Sequence, residues 1–442
     1  MSAVSEKPSL LNGYGEFLAA RGVADPRLEA LRAAGFARFA EIGFPARDDE
    51  DWRFTSLAPI ERTTFAPARS GTPLRSEQLQ PFRIPGTLDL VWVDGYFSPE
   101  LSASTAELPK GAFAGSLAQA LAEMPELVLA HLGRHAKAQN AFVALSNAFL
   151  DDGAFVYLPP GSRVEQPLHL LFLASGGEAP TFNHPRCLIV AGESSQATVI
   201  ETYSGFSGDR YFTCAVTEIV GLANSSVDHY RLGQESLDAY HLATLQVTLE
   251  RDATFFTHSI SHGGAIVRND IHAWLGGEGI HCTLNGLYLA RAKQVVDHHM
   301  WIDHAAPHCH SYELFKGILE DESRAVFNGR IHVHQIAQKT DAKQSNRNLL
   351  LSDQALCHSN PQLEIFADDV RCTHGSTTGH LDDEAIFYLR SRGIGEDAAK
   401  SLLTYAFAGE VLQEIKLDVV RHDVEEFLFT RLPKGDVVRQ AT

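Results

Sequence analysis

Residues 242–289, LATLQVTLERDATFFTHSISHGGAIVRNDIHAWLGGEGIHCTLNGLYL, decide the fold. The stretch opens on an alternating apolar run, 242–249, and closes on another, 284–289. Two polar turns punctuate it, Glu250-Arg251-Asp252 and Gly276-Gly277-Glu278, 26 residues apart. Short apolar or alternating runs bounded by Gly, Asp and charged residues read as strands. Equivalent turns stand at Glu193-Ser194-Ser195, Asn224-Ser225-Ser226, Glu320-Asp321-Glu322 and Ser352-Asp353-Gln354. Their spacings are roughly 26 to 32 residues, with one gap of about 44 that has room for an extra half-turn. Further strand-like runs at 155–158, 168–173, 197–202, 215–220 and 330–333 fill the span from Phe155 to about Gly379, and no long helical pattern interrupts them. Cysteines 187 and 214, and again 282 and 309, are 27 apart. A period in this range predicts a right-handed parallel β-helix, each coil stacked on the last, with an irregular β-sandwich as the competing arrangement.

Helical signals flank this core, so the chain divides into residues 1–150, mainly helical, a β-helix core over 151–380, and a helical region over 381–442. In the first region Asp25-Pro26 pairs a capping side chain with a proline at the first helical position. Leu28, Leu31, Phe36, Phe39 and Ile42 follow near helical spacing, and Gly43-Phe44-Pro45 ends the run. An extended segment is predicted around 88–93, and helix over 116–134 and 136–150. In the tail Asp382 caps a helix carrying Ile386 and Leu389 that ends near Gly393. A second helix runs from Glu396 to about Ile415 with Leu403, Phe407 and Val411 on one face. A third holds Val420, Val424, Phe427 and Leu428 before Pro433.

With 55 acidic against 37 basic residues among 442, the net charge of -18 repels phosphate backbones and argues against nucleic-acid binding. No long apolar stretch suits a membrane span. The opening MSAVSEKPSLLNGYGEF lacks the basic and apolar regions of an export signal, so a cytoplasmic protein is expected. None of the six cysteines forms a C-x-x-C pair, and most read as small buried hydrophobes.

Two constellations are candidates for chemistry, the first of them competing with a plainer role for its histidines as polar turn residues that hydrogen-bond backbone or water. Nine of the 21 histidines lie between His258 and His310, including Asp297-His298-His299 and Asp303-His304 followed by His308-Cys309-His310. His304 and His308 have the helical spacing of zinc ligands, but Pro307 opposes a helix. In a strand, His308 and His310 share a face and Cys309 points away. The second constellation is Cys372-Thr373-His374, whose cysteine and histidine fall on one face of a strand, where both can ligate iron or hold sulfur. There is no G-x-S-x-G elbow, no H-E-x-x-H and no phosphate-binding loop, so no hydrolytic activity is expected and any ATP must be bound by another chain.

The run 364–375, EIFADDVRCTHG, followed by 387–394, FYLRSRGI, closely resembles the C-terminal signature of the SufB/SufD family of iron–sulfur cluster assembly proteins. Matching segments lie upstream at 268–271, 284–288, 303–308, 316–319, 327–331 and 338–342, and at Phe44-Pro45 with Glu50-Asp51-Trp52-Arg53-Phe54-Thr55. The Cys372-x-His374 pair resembles the SufD branch, since SufB typically lacks it. The resemblance implies a β-helix between helical ends and a non-enzymatic subunit of a SufBCD complex. It pairs with SufB through the β-helix ends and with SufC, an ABC-type ATPase, through the tail helices, and an isolated chain can form a homodimer. It also implies that His374 is a cluster or iron ligand at the SufB interface, with Cys372 as the lesser candidate. Tyr388, Arg390, Arg392, Gly393 and Phe407 become candidates for the SufC interface. No stably bound cofactor is implied, only transient iron or a nascent cluster, with ATP on SufC. The rival readings are a scaffold that ligates no metal and a β-helix carbohydrate-active enzyme, which the missing export signal disfavours.

Overall fold

The computed structural model describes residues 9–21, 25–46, 48–68, 74–177 and 179–441. The export-signal reading therefore falls partly outside the described residues.

From residue 186 to residue 379 the chain alternates between two parallel sheets, the first ending at Leu356–Ile365 and the second at Arg371–Gly379, so that hydrogen-bonded neighbours are two strands apart in sequence. Val295–His304, for example, lies between Ile266–Leu275 and Arg324–Val333, and His298 stands beside Asn269 and Phe327, each 29 residues away (298 − 269 and 327 − 298). Two strands and two corners make one coil, and the stacked coils form a parallel β-solenoid. Where the outer face is also covered, strands are buried throughout, as in Tyr211–Gly221; where it faces water, burial alternates, as in Asp341–Leu350.

The corners explain the polar turns. Ser194, Asn224, Asp252, His308 and Lys339 all adopt left-handed backbone with φ between 57° and 64°, a conformation that a short polar side chain tolerates better than a branched one. Each donates its peptide N–H to a carbonyl of the next coil: Ser194 to Ala223 at 2.9 Å, Asn224 to Arg251 and Asp252 to Glu278 at 2.8 Å, and His308 to Gln338 at 2.9 Å. The gap of 44 residues is one coil and a half. The turns at 193, 224, 250 and 276 precede strands of one sheet, and those at 320 and 352 precede strands of the other. The 27-residue cysteine spacing is not a column, because Cys187 stands beside Thr217 and Cys282 beside Ser311.

Helix Pro26–Ile42 begins where Asp25 accepts the Arg27 N–H at 2.8 Å and ends at Gly43, whose φ is 64°. It packs on the fully buried helix Ala141–Ala148, which covers Tyr211–Gly221 and Tyr240–Leu249. Gly35 permits the contact, since a Cβ there would sit 2.7 Å from the Ala144 carbonyl. The long helices expected over 116–134 and 136–150 are instead Leu117–Glu123, Pro125–Leu129 and Ala141–Ala148. Pro125 cannot donate a helical hydrogen bond and so starts a new helix, and Asn140 caps the third by accepting from the Phe142 N–H. The extended segment is the strand Leu88–Val93, paired in parallel with Leu168–Ala174.

The motif at 50–55 locks this region to the solenoid wall. The buried Arg268 donates to Asp297 at 3.0 Å and to the Asp51 carbonyl at 2.5 Å, and its guanidinium lies over Trp52 at 3.7 Å. The Thr55 hydroxyl donates to Asp297 at 2.5 Å. Burial alone would raise the Asp297 carboxyl, but the Arg268 charge and the neighbouring His299 overcome it and hold the pKa at about 2.

In the tail, Glu396–Gln413 and Asp418–Arg431 lie along the outer face of the second sheet. Their Ala408, Val411, Leu412, Val420, Val424 and Leu428, with Ile415 between them, pack on Ile200, Tyr230, Leu232, Ile260, Leu287 and Leu314. The buried Lys316 reaches the Phe407 carbonyl at 2.7 Å and Glu410 at 2.5 Å, and the Leu417 N–H donates to the Tyr230 hydroxyl at 3.1 Å. A fourth short helix, Gly435–Ala441, was not legible in the sequence. No helix among the described residues is long and apolar enough to cross a membrane.

Candidate functional site at the open end of the solenoid

The last coil is made of Leu356–Ile365 and Arg371–Gly379, the terminal strands of the two sheets. Each is hydrogen-bonded on one side only, to Arg324–Val333 and Asp341–Leu350 respectively. Both carry mostly exposed or half-buried residues, since no further coil of the described residues lies above them.

Cys372 and His374 sit on Arg371–Gly379 in register with Ala342 and Gln344, whose side chains are buried inside the solenoid. Both therefore belong to the inner face of the final rung, which the missing next coil uncovers. Cys372 is half-buried against Ile331, Val333, Ala337 and Leu363, and burial pushes its thiol pKa up. The His374 imidazole is exposed and has no hydrogen-bond or ion-pair partner among the described residues. A Cβ on Gly375 would meet nothing within 4 Å, so the backbone beside His374 is open to close approach.

Three neighbours were not singled out from the sequence. Cys357 is the other half-buried cysteine, with four more fully buried. It lies on the same rung, where burial pushes its thiol up to about 11 against the opposing hydrogen bond with Thr378. Glu313 and Gln344 continue the His374 column inward, Gln344 donating to Glu313 at 3.0 Å. Burial pushes Glu313 up to about 8, so it holds a proton at neutral pH. Beside this column the Ser376 hydroxyl donates to Ser359 at 2.8 Å, and Ser359 to Asn346 at 2.8 Å. The end of the solenoid is thus lined by thiols, hydroxyls, amides, one protonated carboxyl and one free imidazole. The coil period was the available signal: counting 30 residues back from His374 reaches Gln344, and 31 more reaches Glu313.

The buried Glu313 makes a testable prediction about stability. Its folded pKa lies above the ordinary 4.5, so the stability it contributes is full below about pH 4.5 and is lost as the pH rises through about 8. Glu313→Gln keeps the shape and removes the titration. Denaturant melts of the two proteins from pH 5 to pH 8 should show the wild-type chain losing ground to the variant by on the order of a few kcal/mol. A difference independent of pH would mean that Glu313 ionises normally.

The candidates for a second partner lie elsewhere. Helix Asp383–Ser391 is capped by Asp382, buries Ile386, and leaves Phe387 73% and Tyr388 57% exposed. Arg392 donates to the Tyr388 hydroxyl at 3.3 Å and Arg390 pairs with Glu396 at 3.4 Å, while Gly393 takes φ 88° at the turn. These residues form one exposed patch. Phe407 is not part of it, being half-buried beneath Lys316 in the seam between helix and sheet. Phe387 was not singled out, yet it stands off the Ile386–Leu389 stripe, the position from which an aromatic faces water.

The histidines that looked promising in sequence do not converge. His304 points inward and bonds Ser311 at 2.9 Å, His308 is an exposed corner residue, and His310 stacks on His281 at 4.7 Å.

Comparison with known proteins fits this geometry. Residues 172–407 match the SufBD core domain of the SUF system for FeS cluster assembly, and residues 19–170 match the SufBD protein N-terminal region. The chain is 34% identical over 399 residues to the iron–sulfur cluster assembly protein SufD of Escherichia coli (strain K12), covering 89% of this chain and 90% of that one. It is 32% identical to an iron–sulfur cluster assembly SufBD family protein of Synechocystis, covering 90% and 89%. A chloroplastic protein of Arabidopsis thaliana, ABCI7, is 27% identical, covering 88% and 82%. The chain belongs to the SufB/SufD family, on its SufD branch, and its role is in iron–sulfur cluster assembly.

Proposed function

We propose that the chain is a cytoplasmic, non-enzymatic subunit of a complex with SufB and SufC. The observation that carries this reading is the open last coil. Two adjacent strand edges with unpaired N–H and C=O groups are a template for another chain, and soluble proteins rarely leave such an edge uncovered. SufB pairs there, and His374 and Cys372 then face the interface. His374 serves as a ligand to iron or to a nascent cluster, the material being built and not a resident cofactor. Cys372 has the smaller part, because its raised thiol must lose a proton before it can bind metal. SufC docks on the patch around Tyr388, Arg390, Arg392 and Gly393 and supplies the ATP site.

Co-expression with SufB and SufC should yield one species containing all three chains, whereas the chain purified alone, as monomer or homodimer, should turn over no ATP. ATP hydrolysis by the isolated chain, or its failure to co-elute with SufB, would overturn the proposal.

A further inference from the structure

On the outer face of the first sheet, three successive coils bring together residues that are far apart in sequence. Asp303 of Val295–His304 stands in register with His332 of Arg324–Val333, and His334 lies just past the end of that strand. His332 Nδ1 is 2.7 Å and His334 Nε2 is 3.4 Å from the same carboxylate oxygen, Asp303 Oδ1. One ligand atom from each residue lies within 4.8 Å of the other two. The opposite oxygen, Oδ2, is held by His272 Nε2 at 2.9 Å from the preceding coil. Asp303 is buried, and His332 and His334 are half-buried. Trp274 meets the His334 ring edge-on at 5.6 Å, and Phe366 meets His332 at 5.5 Å, so apolar surface walls the cluster.

His334 Nε2 is buried and 3.4 Å from Asp303 Oδ1, yet makes no hydrogen bond of good geometry among the described residues. A buried ring nitrogen without a partner is costly unless something else occupies its lone pair. Two imidazoles and one carboxylate oxygen within 4.8 Å of one another are the donor set of an imidazole-favouring divalent ion, with positions left for water or substrate. Ligand atoms on a tetrahedral ion with bonds of about 2.0–2.1 Å lie roughly 3.3 Å apart, near the His334–Asp303 separation, and the 2.7 Å hydrogen bond between His332 and Asp303 would have to open to that spacing as an ion replaced its proton. A histidine on the far carboxylate oxygen is the outer partner that orients such a ligand.

We propose that Asp303, His332 and His334 form a binding site for one divalent first-row transition-metal ion, with His272 orienting the carboxylate. The site is on the opposite sheet from His374 and faces outward, and it does not depend on the role assigned to His374.

The test uses the full chain, without a polyhistidine tag, treated with chelator and titrated with Co(II). One ion per chain should bind, with visible ligand-field bands, a raised melting temperature, and displacement by Zn(II), the stronger binder of the two. His332→Ala and His334→Ala should each weaken binding roughly tenfold or more, and His272→Ala roughly tenfold to a hundredfold. His281→Ala with His310→Ala, which removes the exposed stacked pair, should change nothing. His334→Cys should add a sulfur-to-cobalt charge-transfer band, a signature available only if position 334 is a ligand. The absence of Co(II) bands, bands that survive the His332→Ala/His334→Ala double substitution in a chain that melts normally, or bands lost with His281 and His310 would each overturn the proposal.

Discussion

His374→Ala should leave the assembly of this chain with SufB and SufC intact while lowering cluster formation in cells roughly tenfold or more, the loss typical when a metal site is deprived of a ligand or its close support. The imidazole is exposed, makes no hydrogen bond or ion pair among the described residues, and sits beside a glycine whose absent side chain leaves open space. Nothing in the isolated fold depends on it, so melting of the variant should match the wild type. If His374 instead hydrogen-bonds across the SufB interface, its loss costs about 0.5–1.5 kcal/mol of association and the complex loosens, while whatever complex forms still builds clusters. Quantifying co-purified SufB and cluster yield in one preparation separates these outcomes, and a normal yield from an intact complex would leave His374 without either role.

Phe387→Glu combined with Tyr388→Glu should abolish co-purification of SufC and leave the chain folded and bound to SufB. Exposed aromatics at the centre of an interface each carry about 2 kcal/mol or more, so losing two weakens binding by roughly a thousandfold. Deleting residues 382–442, the obvious alternative, should instead give an insoluble chain. It strips Val411, Leu412, Ile415, Val420, Val424 and Leu428 from the second sheet. At about 1.5–3 kcal/mol for each buried aliphatic, this is on the order of 10 kcal/mol, comparable to the whole stability of a typical domain at about 5–15 kcal/mol. SufC retained by the double variant would place the SufC contact away from helix Asp383–Ser391, and a soluble truncated chain would show that the sheet does not need the tail helices to fold.

The solenoid was legible because its turns demand polar residues in left-handed backbone and its middle coils are apolar inside. Legibility failed toward the open end. The inner positions of Asp341–Leu350 are Ala342, Gln344, Asn346 and Asn348, and those of the final strand are Cys372, His374, Ser376 and Thr378. Such strands show no alternation of apolar and polar residues, because their inner face is itself polar. The same coils carry the candidate site, whose residues are one rung apart in space and about thirty apart in sequence. His374 and Cys372 were found because they are two apart on one strand, within the run 364–375 that carries the family resemblance. Glu313 and Cys357 needed the register. The tail helices showed their apolar stripes, but a stripe does not say what covers it, and two of the three cover the chain's own sheet.

The corner ladder has a mechanical consequence. In the strand ladders each coil bonds only to the one before and the one after, and the tail helices brace the coils from Ile200 to Ile318 without reaching the last, so the free end of the stack behaves as a chain of links and not as a cross-braced block. A link with neighbours on both sides opens only by breaking two interfaces, whereas the last link opens by breaking one. Local opening therefore begins at the rung that bears His374 and moves inward by whole coils. Seating another chain on that rung converts the terminal link into an interior one, so the stiffness of the candidate site is set by whether it is occupied, and a torque applied there is felt first by the thiols and imidazole it carries.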